Sequence, residues 1–182
     1  LTNYKNVMIR KLLISLAVIA ATTFGASAQG KELTVSYGGY TQMDAMDMHD
    51  GWHGVNTAWG ALNVGFNFQI NSKFWIGPSY TFSSTTTKGG PHHSNIAYHA
   101  FMINGRYQYY RSGLFSMYAK AGLGIEFSHM QPRGDDAYNK CYCAFQLVPV
   151  GAQFDLNRTV ALFAEAGFGA QGLFQAGCKF RF

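Results

Sequence analysis

The chain has 182 residues, enough for one domain, with a formal charge of +5 and only 13% charged residues against a typical ~25%. Aromatic residues reach 16% and glycines number 21, which excludes a disordered chain and disfavours a helical bundle. No apolar run of about 18 to 20 residues follows the N-terminal region, which excludes a polytopic helical membrane protein.

The first element in chain order is a leader. Arg10 and Lys11 form a basic start just after Met8, residues 12–21 form a short apolar core, and Ala26, Ser27 and Ala28 make a small-x-small cleavage site. This pattern predicts a secretory signal peptide over residues 1–28, with Met8 as the expected start, and a mature domain over 29–182. Without the leader bases Lys5, Arg10 and Lys11, the excess charge falls from +5 to +2. The sequence pI of 9.1 thus owes much to the leader, and no clustered basic patch supports a nucleic-acid partner. Export implies an oxidising compartment, where three cysteines allow at most one internal disulfide.

Beyond Gln29 the helical period is absent and alternation with period two recurs, the signature of strands. Eight runs are predicted, at 33–40, 58–71, 73–83, 96–110, 114–129, 144–156, 159–170 and 173–182. In the fifth, Phe115, Met117, Ala119, Ala121, Leu123, Ile125 and Phe127 share one face, while Ser116, Tyr118, Lys120, Gly122, Gly124 and Glu126 share the other. In the last, Phe174, Ala176, Cys178, Phe180 and Phe182 oppose Gln175, Gly177, Lys179 and Arg181. One face is thus apolar for some ten residues per strand, and the other is Gly, Asn, Gln, Ser and a few charges. A strand needs about 9–11 residues to cross a bilayer. In lipid every backbone group must be paired, so such strands must close into a barrel with the apolar face outward. A soluble lipocalin-type binder would need the opposite parity. The expected fold is all-β: an eight-stranded antiparallel up-and-down transmembrane barrel over 29–182.

The gaps alternate in length. Those near 71–73, 111–113 and 157–158 are short, and those at 41–57, 84–95 and 130–143 are long, with a short final one at 171–172. Short periplasmic turns and long outer loops produce this alternation, and an even strand count leaves both termini in the periplasm.

The last residue, Phe182, with Phe180 two before it, resembles the C-terminal aromatic signal read by the barrel assembly machinery. The segments 148–154 and 162–169 resemble the last strands of small outer-membrane barrel domains. The whole mature chain is similar to the OmpA/OmpX-type eight-stranded outer-membrane β-barrel proteins. That resemblance implies a Gram-negative cell-surface protein, porin-like in fold, with outer-membrane lipids and the assembly machinery as partners, acting as a monomer. An extracellular protein or surface partner is an open alternative.

Arg106, Lys120, Glu126, Gln153, Asp155, Glu165, Lys179 and Arg181 all fall on the inner face by parity. They would either line a narrow pore for ions or small solutes or fill a closed lumen. Both signs of charge are present and eight strands leave little room, so an internal network is expected. Glu165 is expected opposite Gly177, within diagonal reach of Lys179. In the first long loop Met46, Met48, His49, Asp50 and His53 are candidate ligands for a soft or borderline metal, although no defined metal-binding spacing is present and no cofactor is expected. Cys141 and Cys143 are expected in the third long loop. His99 and His129, with Ser83, Ser84, Ser94 and Ser128 nearby, are the residues a lipid-modifying rim enzyme would draw on, yet no spacing singles out a nucleophile. The expected role is structural, in membrane integrity, or adhesive, without catalysis.

Overall fold

Alternating side chains place one row of each strand against its neighbours' rows on a common interior, and the sheet curls until its edges meet. The computed structural model describes residues 30–47, 58–86, 95–131 and 138–182. The signal-peptide segment at 1–28 lies outside these. The strands are β1 (Lys31–Gly39), β2 (Ala61–Gln69), β3 (Phe74–Thr86), β4 (Asn95–Ser112), β5 (Phe115–Gln131), β6 (Tyr138–Asp155), β7 (Val160–Gly169) and β8 (Phe174–Arg181). Each pairs antiparallel with the next, and β1 pairs with β8, with Leu33 opposite Phe180 and Val35 opposite Cys178, closing an eight-stranded barrel. Closure leaves no sheet edge along the paired length.

The two ends differ. At the end holding Lys31 and Arg181, hereafter the terminal end, the connections are tight. Two are built alike. The Asn71 side chain accepts hydrogen bonds from the amides of Lys73 (2.9 Å) and Phe74 (2.8 Å), and Asn157 does the same for Thr159 (2.8 Å) and Val160 (2.7 Å). These are Asx turns, which asparagine forms readily. The third is a two-residue turn in which Gly113 holds φ at +56°, a backbone that suits the strand twist and that glycine adopts without cost.

At the opposite, loop end, β3 to β6 run on together past β2, which stops at Ala61 opposite Ser83, and β7, which stops at Gly169 opposite Gln146. The period-two reading stops these strands short: β5 reaches Gln131, and β6 begins at Tyr138. Cys141 and Cys143 therefore lie on a strand, both exposed and both free, rather than in a loop. A short helix, α1 (Gln42–Asp47), packs on the inner side. Thr41 and Asp44 cap it reciprocally: Asp44 Oδ2 accepts from the Thr41 amide (2.7 Å), and Thr41 Oγ1 accepts from the Asp44 amide (3.3 Å). Asp44 Oδ1 also accepts from the Ala58 amide (2.7 Å), tying down the far side of the loop. Met43 is fully buried against Ile96 and Tyr98, with Met130 and Tyr142 around them. The Gln42 amide donates to Cys143 O (2.9 Å) and accepts from Phe145 N (3.3 Å). It stands in for a strand where β7 ends at Gly169.

The alternation slips once on β6. Val148 is fully buried, while Pro149 and Val150 both face outward. The pairing with β7 shifts register between Leu147 and Val150, and that with β5 between Tyr118 and Lys120. A proline has no N–H to give the ladder, and a bulge is where a sheet tolerates it.

Candidate functional site

The candidate site is the lumen, and it is filled. Four carboxylates (Glu32, Glu126, Asp155, Glu165) and four cations (Arg106, Lys120, Lys179, Arg181) turn inward from the strands, as alternation dictates. Burying charge is tolerable only with partners, and the geometry supplies them on two levels.

On the terminal level Arg106 grips Glu32 with two hydrogen bonds, 2.6 Å from Nη1 to Oε1 and 3.3 Å from Nη2 to Oε2. Arg181 lies between two carboxylates, with Nε 3.5 Å from Glu32 Oε2 and Nη2 donating to Asp155 Oδ1 at 2.8 Å. Arg111, on the rim, reaches Asp155 from outside at 3.4 Å. Gln153 then joins charges of opposite sign. Its Nε2 donates to Asp155 (2.8 Å), and its Oε1 accepts from Lys179 (3.0 Å). The Lys179 ammonium sits 4.1 Å from the ring centre of Tyr118 and 4.6 Å from that of Phe163, two faces that attract a cation.

On the next level Glu165 accepts hydrogen bonds from Lys120 Nζ and from Tyr118 Oη, the latter at 2.6 Å. The Tyr118 ring lies over Gly151, its partner on β6, and a Cβ at that position would overlap the ring. Lys120 also donates to Gln171 Oε1 (2.8 Å), and Gln171 Nε2 donates to Ser79 Oγ (3.1 Å). Gln171 belongs to the connection between β7 and β8. That connection folds into the lumen and is held there by Gln146, which accepts from the Gln171 amide (2.8 Å) and donates to Gly172 O (3.2 Å). A cavity of about 30 Å³ lies among these groups, lined among others by Asn63, Asn104, Lys120, Glu165, Gln171 and Gln175. That volume suits one or two waters, and Asn63 Oδ1, Asn104 Oδ1 and Gln175 Nε2 are polar atoms there without a protein partner among the described residues.

The outer surface is the opposite in character. Leu62, Val64, Phe101, Ile103, Leu123, Ile125, Leu147, Val150, Leu162 and Phe168 are all exposed, Leu123 at 69%. An apolar patch this continuous is foreign to soluble monomers. Aromatic residues collect at both of its ends: Tyr107, Tyr109, Tyr110 and Phe115 near the terminal end, Tyr37, Tyr40, Trp59 and Phe127 near the other. The fold is that of the small eight-stranded outer-membrane barrels.

One solved structure with a comparable fold is that of Ail. Ail, the attachment invasion locus protein of Yersinia pestis, in complex with the heparin analogue sucrose octasulfate, aligns with a TM-score of 0.51 at 12% identity, over 84% of this chain and 97% of that one. The N-terminal β-barrel domain of Pseudomonas aeruginosa OprF aligns with a TM-score of 0.49 at 9% identity, over 85% and 98%. No family model and no curated protein matches the sequence.

The outer-membrane barrel fold brings most of the expected lumen residues together: Arg106, Lys120, Gln153, Glu165, Lys179 and Arg181 share the two levels above. Glu126 is buried on the same face of β5, six residues beyond Lys120 and roughly 20 Å along the strand. The expected partner of Glu165 is corrected: it stands opposite Gln175, not Gly177, and pairs across the lumen with Lys120 and Tyr118. The connection after β7 starts lower than the sequence pattern suggests, and this shifts the register by two. Glu32 and Gln171 are central and were missed. Glu32 sits one residue before the first clear alternation, and Gln171 lies in a turn, where parity has no meaning.

Phe180 faces outward beside Leu33, and the Phe182 backbone pairs with Lys31, its amide donating at 2.9 Å. Of the candidate metal ligands, Met46 is exposed on α1, its sulfur 3.5 Å from Gln42 Nε2; Met48, His49, Asp50 and His53 lie outside the described residues. His99 bonds Tyr80 Oη through Nδ1 (2.7 Å), and His129 bonds Asn139. The Ser83 hydroxyl donates to Gly60 O, and Ser84 Oγ accepts from Trp59.

Proposed function

We propose that this chain is an integral outer-membrane protein whose lumen is closed, with a structural role in the membrane or a role in surface interaction, and without catalysis. The observation that carries this reading is the apolar outer surface running round a closed sheet, with Glu32, Arg106, Lys120, Asp155, Glu165 and Arg181 ion-paired inside it. Backbone hydrogen bonds satisfied by closure, with apolar side chains outside, are what a bilayer requires. In this reading the terminal end faces the periplasm and the loop end faces outward. The likeness to Ail, itself named for attachment and invasion, supports an adhesive role as one form of the interaction reading.

The test is refolding of the chain into phosphatidylcholine vesicles, followed by gel electrophoresis with and without heating. A heat-sensitive mobility shift, with co-fractionation of the expressed protein with outer membranes, is the expected result. Unchanged mobility together with a soluble periplasmic product would overturn it. Loss of a periplasmic marker from cells lacking the protein would favour the structural role, and loss of surface adhesion alone would favour the adhesive one.

A pore is the second reading, and the bonded chain of Glu165, Lys120, Gln171 and Ser79 across the lumen argues against it, since a conducting path needs a continuous column of water.

A further inference from the structure

The terminal end repeats one chemical pattern at its corners. The β2–β3 turn exposes Ile70 and, three residues on, Lys73. The β4–β5 turn exposes Leu114 next to Arg111. The β6–β7 turn exposes Leu156 and then Arg158. The fourth corner, where β1 meets β8, exposes Lys31. The three aliphatic side chains are 47–57% exposed, although a turn in free water has no reason to present them. In two of the corners the same Asx turn fixes the arrangement: Ile70 N donates to Phe74 O (2.9 Å) and Leu156 N donates to Val160 O (3.0 Å).

The exposed charged side chains at this end have one sign. The described carboxylates here, Glu32 and Asp155, are buried within the lumen and neutralised by Arg106 and Arg181. Lys31, Lys73 and Arg158 make no ion pair among the described residues, and Arg111 makes only the rim contact to Asp155. Just inside the ring lie Tyr107, Tyr109, Tyr110 and Phe115, residues that favour the level of lipid headgroups. At the β2–β3 and β6–β7 turns the cation lies beyond the aliphatic residue, at the turn itself, whereas Arg111, opposite Ser116, and Lys31, opposite Phe68, flank the aromatic and aliphatic level from the strands.

We propose that this ring is a headgroup collar for anionic phospholipid: the turn tips sit in the interface, and Lys31, Lys73, Arg111 and Arg158 bind phosphates of a phosphatidylglycerol-type lipid. This rests on the membrane reading above and names a lipid class for one end of the barrel. An anionic polymer such as peptidoglycan would be met by the cations alone. The exposed Ile70, Leu114 and Leu156 beside them are what a lipid interface accommodates, because long basic side chains can reach out to phosphate while apolar neighbours stay in the acyl boundary.

The test uses the full chain refolded in phosphatidylcholine vesicles containing trace spin-labelled phosphatidylglycerol or spin-labelled phosphatidylcholine. The motionally restricted fraction of each label gives their relative association. At low salt the wild type is expected to favour phosphatidylglycerol on the order of fivefold. The variant carrying Lys31→Gln, Lys73→Gln and Arg158→Gln should hold the two lipids nearly equally, and so should the wild type in about 1 M salt, where charges are screened beyond roughly 3 Å. Equal association for the inserted wild type would overturn the collar while leaving the barrel reading intact, as would a preference that survives in the triple variant. Sedimentation of the wild type with purified peptidoglycan, coupled with no lipid preference, would reassign the ring to the cell wall. Failure to insert into phosphatidylcholine at all would overturn the membrane reading, and the collar with it.

Discussion

Arg106 holds Glu32 in a two-pronged ion pair inside the barrel, joining β4 to β1 across the lumen at the terminal end. The pair is buried on both sides, at 8% and 0% side-chain exposure. Arg106 also lies 4.9 Å from the ring centre of Trp75 and 5.3 Å from that of Tyr118, so its guanidinium is enclosed by partners. Such a pair contributes through its completeness: removing one member strands the other in a place water does not reach.

Glu32→Ala is therefore expected to destabilise the refolded barrel by about 3–5 kcal/mol. The double change Glu32→Leu with Arg106→Met should cost less than the single one, because neither charge is left behind. Urea unfolding midpoints in detergent micelles decide the matter, and a double variant weaker than Glu32→Ala would contradict the pairing.

The Tyr118 hydroxyl donates to Glu165, a hydrogen bond to a charged group. Tyr118→Phe is expected to cost about 1.5–3 kcal/mol. Tyr107→Phe, on the exposed outer face, should change stability by less than about 0.5 kcal/mol. Comparable losses in the two variants would show that the outer and inner tyrosines do not differ as described.

Gly151→Val tests the packing that aims Tyr118. The added side chain would overlap the ring and push its hydroxyl away from Glu165. The expected effect is at least that of Tyr118→Phe, and combining the two should be markedly less than additive because both act on one contact. Strict additivity in a double-mutant cycle would remove the proposed link.

The plugged lumen makes an electrical prediction. The chain in a planar bilayer should show no steady conductance, because Lys120, Glu165, Gln171 and Ser79 form a continuous bonded chain across the middle. Gln171→Gly removes the side chain that the β7–β8 connection inserts, and brief openings are the expected gain. A large, stable conductance in the wild type would show that the lumen is open.

How much of this was legible in the sequence follows from what period-two alternation can carry. It assigns faces, so Lys120, Glu165 and Lys179 turn inward and Leu123 and Val150 outward, as found. It says nothing of partners across the lumen, since those depend on strand stagger, and Glu165 accordingly meets Lys120 rather than lying near Gly177. Where local features override alternation, parity also fails: the bulge at Pro149 turns Val148 inward, and the turn at Gln171 has no parity at all. The apolar caps were hidden as well. Met43 reads as a loop residue and Ala170 as the outward-facing end of the seventh run, yet both are buried and fill the loop half of an interior that the sequence alone describes as polar.

The most direct test of the central claim, a closed barrel with lipid outside and charge within, is spin-label accessibility along β5 in phosphatidylcholine vesicles. Labels at single cysteines replacing Leu123 and Ile125, in a background lacking Cys141, Cys143 and Cys178, should collide readily with oxygen and poorly with a water-soluble nickel chelate. Substitution at Leu123 by arginine should cost about 2–4 kcal/mol for the same reason. High nickel accessibility at Leu123 and Ile125 in the folded protein would contradict the account.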